Sequence, residues 1–194
     1  MGALITTAPG DTAPLEIAGS GAGALTGLHY DMPVASAQVK SCLLLAGLYA
    51  NGRTSVTEPA VTRDHTERML AGFGYPVERQ GPTAALVGGE RLQARAVAVP
   101  ADLSSAAFFL VGASLTPGSE VELEAVGMNP TRDGVLRILG QMGANIEVRN
   151  RRDAGGEPVA DLVVRSAELR GIEIPPEWVP LAIDEFPALM IAAA

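Results

Sequence analysis

One block of sequence occurs twice in this chain, and a repeated block folds as a repeated supersecondary unit that cannot bury its apolar face alone. In the first copy, an apolar run over residues 36–48 leads through Asn51-Gly52 to a strand-like stretch over 54–58 and then to Thr62-Arg63-Asp64. In the second, an apolar run over 104–115 leads through Pro117-Gly118 to a strand-like stretch over 120–126 and then to Thr131-Arg132-Asp133. The two triplets lie 69 positions apart, as do Phe73-Gly74 and Met142-Gly143. Met1-Gly2 matches the tail of one further unit and residues 183–194 the head of another.

Periodicity assigns the parts. Val121, Leu123 and Ala125 alternate with three glutamates, the pattern of a half-buried strand. Val135, Ile138, Leu139 and Met142 recur at three and four residues, which predicts an amphipathic helix starting near Thr131 and closed by Gly143. The runs over 43–48 and 108–111 are apolar on every side, so their helices are expected to be surrounded by protein, with Cys42 buried in the first. Two strand-like pieces follow each amphipathic helix, over 76–79 and 84–87, then over 145–149 and 161–165. The fold class is therefore α/β, built of repeated β-α-β-α-β-β units with buried inner helices and outer sheets and helices. A break is expected near 97–103, an exposed hairpin loop over 151–158 and a turn at Pro175-Pro176.

Composition narrows the function. Across 194 residues the formal net charge is -8, which argues against a nucleic-acid or anionic-membrane partner, while 14 Lys plus Arg suffice for a small anionic ligand. Hydrophobic residues make up 47% but lie in short runs, so no membrane span is expected. The opening residues lack the basic region and apolar stretch of a secretory signal, which makes the cytoplasm the expected location. No Walker motif, nucleophile elbow, dinucleotide-binding glycine pattern or Cys/His metal spacing occurs, so nucleotide hydrolysis, hydride transfer and zinc chemistry lose their usual evidence.

Three clusters carry candidate chemistry. Ser36, Gln38 and Lys40 stand at the mouth of an apolar helix, where free N–H groups and the positive dipole end suit a phosphate or carboxylate; Ser36 as a plain N-cap is the other reading. Around Thr62-Arg63-Asp64-His65, helix capping explains Asp64 and Glu67, while Arg63 lies where a guanidinium can reach an oxyanion. His65 has no identifiable acidic or nucleophilic partner and reads as a surface or capping residue. Asp184 and Glu185 precede an apolar helix, as a cap or as a proton-transfer carboxylate.

Taken with Glu58-Pro59, the Ser104-Ser105-Ala106-Ala107 run, Met128-Asn129-Pro130-Thr131-Arg132 and Ile183-Asp184-Glu185-Phe186-Pro187, these motifs resemble the 5-enolpyruvylshikimate-3-phosphate synthases, in their class II-like form, across the whole chain and in order. The resemblance implies the enolpyruvyl transferase fold, with residues 1–98 in a shikimate-phosphate-binding domain and 99–194 in the second domain. It implies that Ser36, Ala37 and Gln38 hold shikimate 3-phosphate, that Arg63 meets its phosphate, and that Asp102 lies near the cleft. Asp184 is the implied proton-transfer residue. The implied substrates are shikimate 3-phosphate and phosphoenolpyruvate, with no metal or organic cofactor, and a family-like parent is expected to be a monomer. The family's outer Lys and Arg residues, which grip phosphoenolpyruvate, have no counterpart here, so this central stretch is expected to be inactive alone. Two alternatives stand beside it: enolpyruvyl transfer to UDP-N-acetylglucosamine, and a noncatalytic binding or assembly module.

Overall fold

The structure, a computed structural model, describes residues 1–19 and 24–194. It divides into two compact units, Met1–Arg95 and Ala96–Ala194.

The first unit opens with a hairpin of β1 (Leu4–Ala8) and β2 (Thr12–Ala18). The short strand β3 (Leu25–Thr26) precedes β4 (His29–Asp31) and α1 (Ala37–Gly47). Then come β5 (Ala50–Asn51), which pairs with β3, β6 (Arg53–Thr57), α2 (His65–Gly72), β7 (Glu78–Gln80) and β8 (Thr83–Val87). The main sheet runs β4-β6-β8-β7, with β4 parallel to β6 and the other pairs antiparallel. A parallel pair needs a crossover, and α1 supplies it. Leu44, Leu48, Leu70, Tyr75, Ala84 and Leu86 form the core between helices and sheet. The Tyr75 hydroxyl donates to the Val87 carbonyl at 2.7 Å, which satisfies the polar tip of a buried ring. A side chain at Gly88 would stand 2.0 Å from the Ala50 carbonyl oxygen, so only glycine admits that backbone approach.

The second unit contains α3 (Leu103–Leu115), β9 (Glu120–Gly127), α4 (Gly134–Met142), β10 (Asn145–Ala154), β11 (Glu157–Arg165) and α5 (Phe186–Ala193), the last preceded by 3₁₀ turns at Pro176–Trp178 and Ile183–Glu185. Its sheet runs β10-β11-β9 in antiparallel pairs, and Ala101 makes a parallel bridge to Val126 on the free side of β9. Ala101 thus stands to β9 as β4 stands to β6, and the strand order of the first unit returns in the second. Leu110, Val126, Val135, Ile138, Leu139, Leu162 and Val164, all without measurable exposure, centre this core.

Four expectations are refined. The helices α1 and α3 are covered on the side facing their own sheet, while the opposite side carries Val39 and Leu45 on α1 and Phe108 (64% exposed) and Phe109 on α3; α5 packs against α3 and leaves Met190 (66%) and Ile191 exposed. A unit supplies one sheet, and one sheet covers one side of a helix. Cys42 lies exposed on α1, away from the buried stripe of Lys40, Leu44 and Gly47, and so is not the buried small hydrophobe expected. The loop at 151–158 shrinks to the Gly155-Gly156 turn, because β10 and β11 pair out to Ala154 and Glu157. The amphipathic helix begins at Gly134 rather than near Thr131.

Candidate functional site

In the first unit, α1 begins where the extended backbone of Ser36 turns helical and its hydroxyl accepts from the Val39 amide at 3.3 Å. Ser36 is therefore an N-cap in fact, and the same hydroxyl lies 3.3 Å from Gln38 Oε1. The first turn of α1 holds no acidic residue, so its positive dipole end is not offset from within. Beside it opens a pocket of about 230 Å³ lined by Ala37, Gln38, Ser41, Arg63, His65 and Thr66. Three of the residues named from sequence, Ala37, Gln38 and Arg63, thus meet on one surface. His65, read from sequence as a surface or capping residue, lines the pocket too.

The elements behind this pocket are tied by polar contacts. Ser41 and Thr66 share a hydrogen bond of 2.7 Å between α1 and α2. Asp64 holds the N-cap position of α2 without capping it; its buried carboxylate accepts from Arg68 at 2.8 Å and Arg79 at 2.6 Å. The expected capping role of Asp64 gives way because two guanidinium groups compete for its oxygens. Arg63 is thereby held just outside α2, facing the first turn of α1.

In the second unit, Asp102 caps α3, accepting from the Ser104 and Ser105 amides at 3.3 and 3.1 Å and from the Ser105 hydroxyl at 3.0 Å. Partial burial pushes its carboxyl up, but the Ser105 hydroxyl, the Arg132 charge and the two amides outweigh that and hold it below the ordinary carboxylate value. Asp184 falls within the 3₁₀ turn before α5, and the N-cap residue there is Glu185, whose side chain makes no capping bond. The cap reading of this pair is therefore not met. Instead Arg132 Nη2 stands 3.5 Å from Asp102, 3.8 Å from Asp184 and 3.9 Å from Glu185, and donates to Ser104, whose hydroxyl donates in turn to Glu185.

Arg132 was not singled out from the sequence, although the repeat marks it: it is Arg63 displaced by 69 positions. The two clusters differ in charge. The pocket of the first unit offers a guanidinium, hydroxyls, an amide and a helix N-terminus, all suited to an oxyanion. The cluster of the second unit sets one guanidinium among three carboxylates. It is suited to accept hydrogen bonds from hydroxyls and to exchange protons, and it opposes a free anion. Among the described residues no group of three or more His, Cys, Asp or Glu is placed to hold a metal ion, and no helix is long and apolar enough to cross a membrane.

Comparison with known proteins identifies the family. A family model described as EPSP synthase (3-phosphoshikimate 1-carboxyvinyltransferase) matches residues 1–194. The 3-phosphoshikimate 1-carboxyvinyltransferases of Methylococcus capsulatus and Alkalilimnicola ehrlichii are 65% and 64% identical over 194 residues, which are all of this chain and 44% and 43% of those proteins. A solved EPSP synthase from Acinetobacter baumannii, 59% identical, superposes with a TM-score of 0.90 over all of this chain and 44% of that one. The chain spans under half the length of the relatives it matches.

Proposed function

Since the chain belongs to the EPSP synthase family, we propose that it forms part of a transferase that moves the enolpyruvyl group of phosphoenolpyruvate to the 5-hydroxyl of shikimate 3-phosphate in the cytoplasm. Residues 1–98 are assigned to the shikimate-phosphate-binding domain and 99–194 to the second domain. The observation that carries this reading is the meeting of Gln38 and Arg63 on one pocket at the acid-free start of α1. There the shikimate phosphate receives the Arg63 guanidinium, the Ser36 hydroxyl and the first-turn amides of Ala37 and Gln38. The names of the relatives, 55–66% identical, support a phosphorylated shikimate over a UDP-sugar as acceptor.

The reaction divides its demands between two kinds of site. The 5-hydroxyl gives up its proton as its oxygen bonds to C2 of phosphoenolpyruvate and the C2=C3 double bond is protonated at C3; the resulting tetrahedral intermediate then loses a proton from C3, re-forming the double bond as the C2–O bond to phosphate breaks and phosphate leaves. A phosphorylated acceptor needs fixed cations and N–H donors, whereas the hydroxyl and the C3 proton need a carboxylate. The first unit has the former. In the second, Asp184 is assigned the proton-transfer role, with Asp102 beside it around Arg132. The net charge of -8 argues against a nucleic-acid or anionic-membrane partner for this segment.

Two measurements test the reading. Titrating the ¹⁵N-labelled chain with shikimate 3-phosphate should shift the amides of residues 36–41 and 63–66, and Arg63→Ala should weaken binding by about tenfold or more, the scale of a lost charge-assisted hydrogen bond. Incubation with both substrates should release no phosphate, because the cationic groups on this pocket serve one anion and phosphoenolpyruvate brings two more. Shifts confined to other residues, or phosphate release that survives repurification and vanishes in Asp184→Ala, would overturn it.

A further inference from the structure

The largest buried polar group of the first unit has no part in the proposed chemistry. Lys40 is 1% exposed and begins the inward stripe of α1 that continues with Leu44 and Gly47. Its ammonium lies 3.0 Å from Glu58 Oε2 and 2.8 Å from Glu67 Oε1, and both acids are buried as well, at 6% and 3%. Two carboxylates on one ammonium is a costly arrangement away from water, and an apolar trio of similar volume would pack without that cost. A network of this kind earns its place when it fixes geometry that apolar packing leaves loose.

The contacts show which geometry is fixed. Lys40 is two residues past Gln38, on the first turn of α1. Glu58 immediately follows β6 and accepts from both the amide (3.4 Å) and the hydroxyl of Thr62. Glu67 lies in the first turn of α2. One ammonium therefore joins α1, the end of β6 and α2, and through Glu58 it reaches the residue before Arg63. Asp64, the residue after Arg63, is anchored on Arg68 and Arg79. Arg63 is thus bracketed by two tethered neighbours, one of which depends on Lys40.

We propose that Lys40 is a positioning residue: with Glu58 and Glu67 it sets the distance between the first turn of α1 and the Thr62–Arg63 segment, so that Gln38 and Arg63 present themselves to one phosphate. This rests on the reading of the pocket given above. Lys40 touches no ligand, and its effect passes through Thr62 and the start of α2.

Removing Lys40 alone leaves two buried carboxylates unpaired and endangers folding, so the decisive variant is Lys40→Met with Glu58→Gln and Glu67→Gln, which keeps the side-chain volumes and removes every charge. Leu86→Ala, a cavity in the core of the same unit, serves as the control for lost stability without lost positioning. Two readouts are taken on the 194-residue chain: amide hydrogen exchange across residues 58–66 with no ligand, and the Kd of shikimate 3-phosphate, with inorganic phosphate as a second probe. The triple variant should exchange at least tenfold faster over 58–66 than elsewhere in the first unit and bind both probes at least tenfold more weakly. Leu86→Ala should raise exchange broadly and leave Kd within about twofold. Unchanged exchange over 58–66 in the triple variant, or faster exchange with undiminished affinity, overturns the proposal. If the unsubstituted chain binds neither probe, the reading of the pocket fails, and the exchange contrast still judges whether Lys40 fixes the segment.

Discussion

Ser36 and Gln38 stand two residues apart, yet the structure gives them separable tasks. The Ser36 hydroxyl accepts from the Val39 amide, so Ser36→Ala removes an N-cap and should cost about 1 kcal/mol of stability. In a chain of this size that corresponds to a fall in Tm of about 2–4 °C. The same hydroxyl is proposed to donate to the shikimate phosphate, so affinity falls as well. Gln38 lines the pocket and caps nothing. Gln38→Ala should therefore leave Tm within about 1 °C while removing a hydrogen bond to a charged ligand, worth about 1.5–3 kcal/mol. At 1.4 kcal/mol per decade this is a rise in Kd of about 10- to 150-fold. Calorimetric titration with shikimate 3-phosphate gives the affinities, and thermal unfolding without ligand gives the stabilities. Equal Tm losses in the two variants, or an unchanged Kd for Gln38→Ala, would refute the division of labour.

Two other predictions concern the second unit. If the segment replaces the matching part of the Methylococcus capsulatus relative and the chimera turns over, Asp184→Ala should lower kcat by about 10² to 10⁴ and change substrate affinity far less, as for a group that handles a proton in the transition state; a loss of stability alone would restore a purely structural role. Asp161 accepts from the Ala125 amide at 2.8 Å, Asn150 at 2.8 Å and Arg152 at 3.1 Å, in that order of influence, which brings its carboxyl down to about 2. A carboxyl depressed in the folded state contributes stability above its unfolded value and loses that contribution as pH falls from about 4 towards 2. The stability difference between the chain and Asp161→Asn should therefore be full at pH 7 and shrink across that window, and a difference independent of pH would show that the carboxylate charge is irrelevant.

The repeat, the strand pairs and the two kinds of helix were legible because each is written in periodicity, and periodicity survives without tertiary information. What escaped depends on contacts between distant residues. Lys40 reads in the sequence as the ammonium of the anion site at the mouth of α1, but Glu58 and Glu67 hold it inside, on the buried stripe with Leu44 and Gly47, and it does not line the pocket. The shrunken hairpin escaped for a similar reason. The run of arginines, glycines and Asp153 has loop composition, but Asp161 on β11 pins both flanking strands where they are irregular. Ala125 (φ 51°) and Asn150 (φ 48°) adopt left-handed backbone there, and their N–H and amide groups turn onto that one carboxylate. For Asp184 and Glu185 the sequence leaves a helix cap and a proton-transfer carboxylate open, because an acid ahead of an apolar helix fits either. Arg132, from a different turn of chain, draws them away.

The two copies of the unit show how one scaffold supports opposite electrostatics. Each places an arginine just ahead of its amphipathic helix, near the first turn of an apolar helix. In the first unit that turn carries Gln38 and no acid, and Arg63 faces a pocket able to receive an anion. In the second, Asp102 occupies the cap and the start of a third copy brings Asp184 and Glu185, so Arg132 is enclosed by three carboxylates. An enclosed arginine no longer recruits a phosphate, but it keeps like charges together that would otherwise repel. In the function proposed above, the first environment serves to hold the acceptor's phosphate and the second to move protons, and the two differ by the residues that surround one arginine at each helix start.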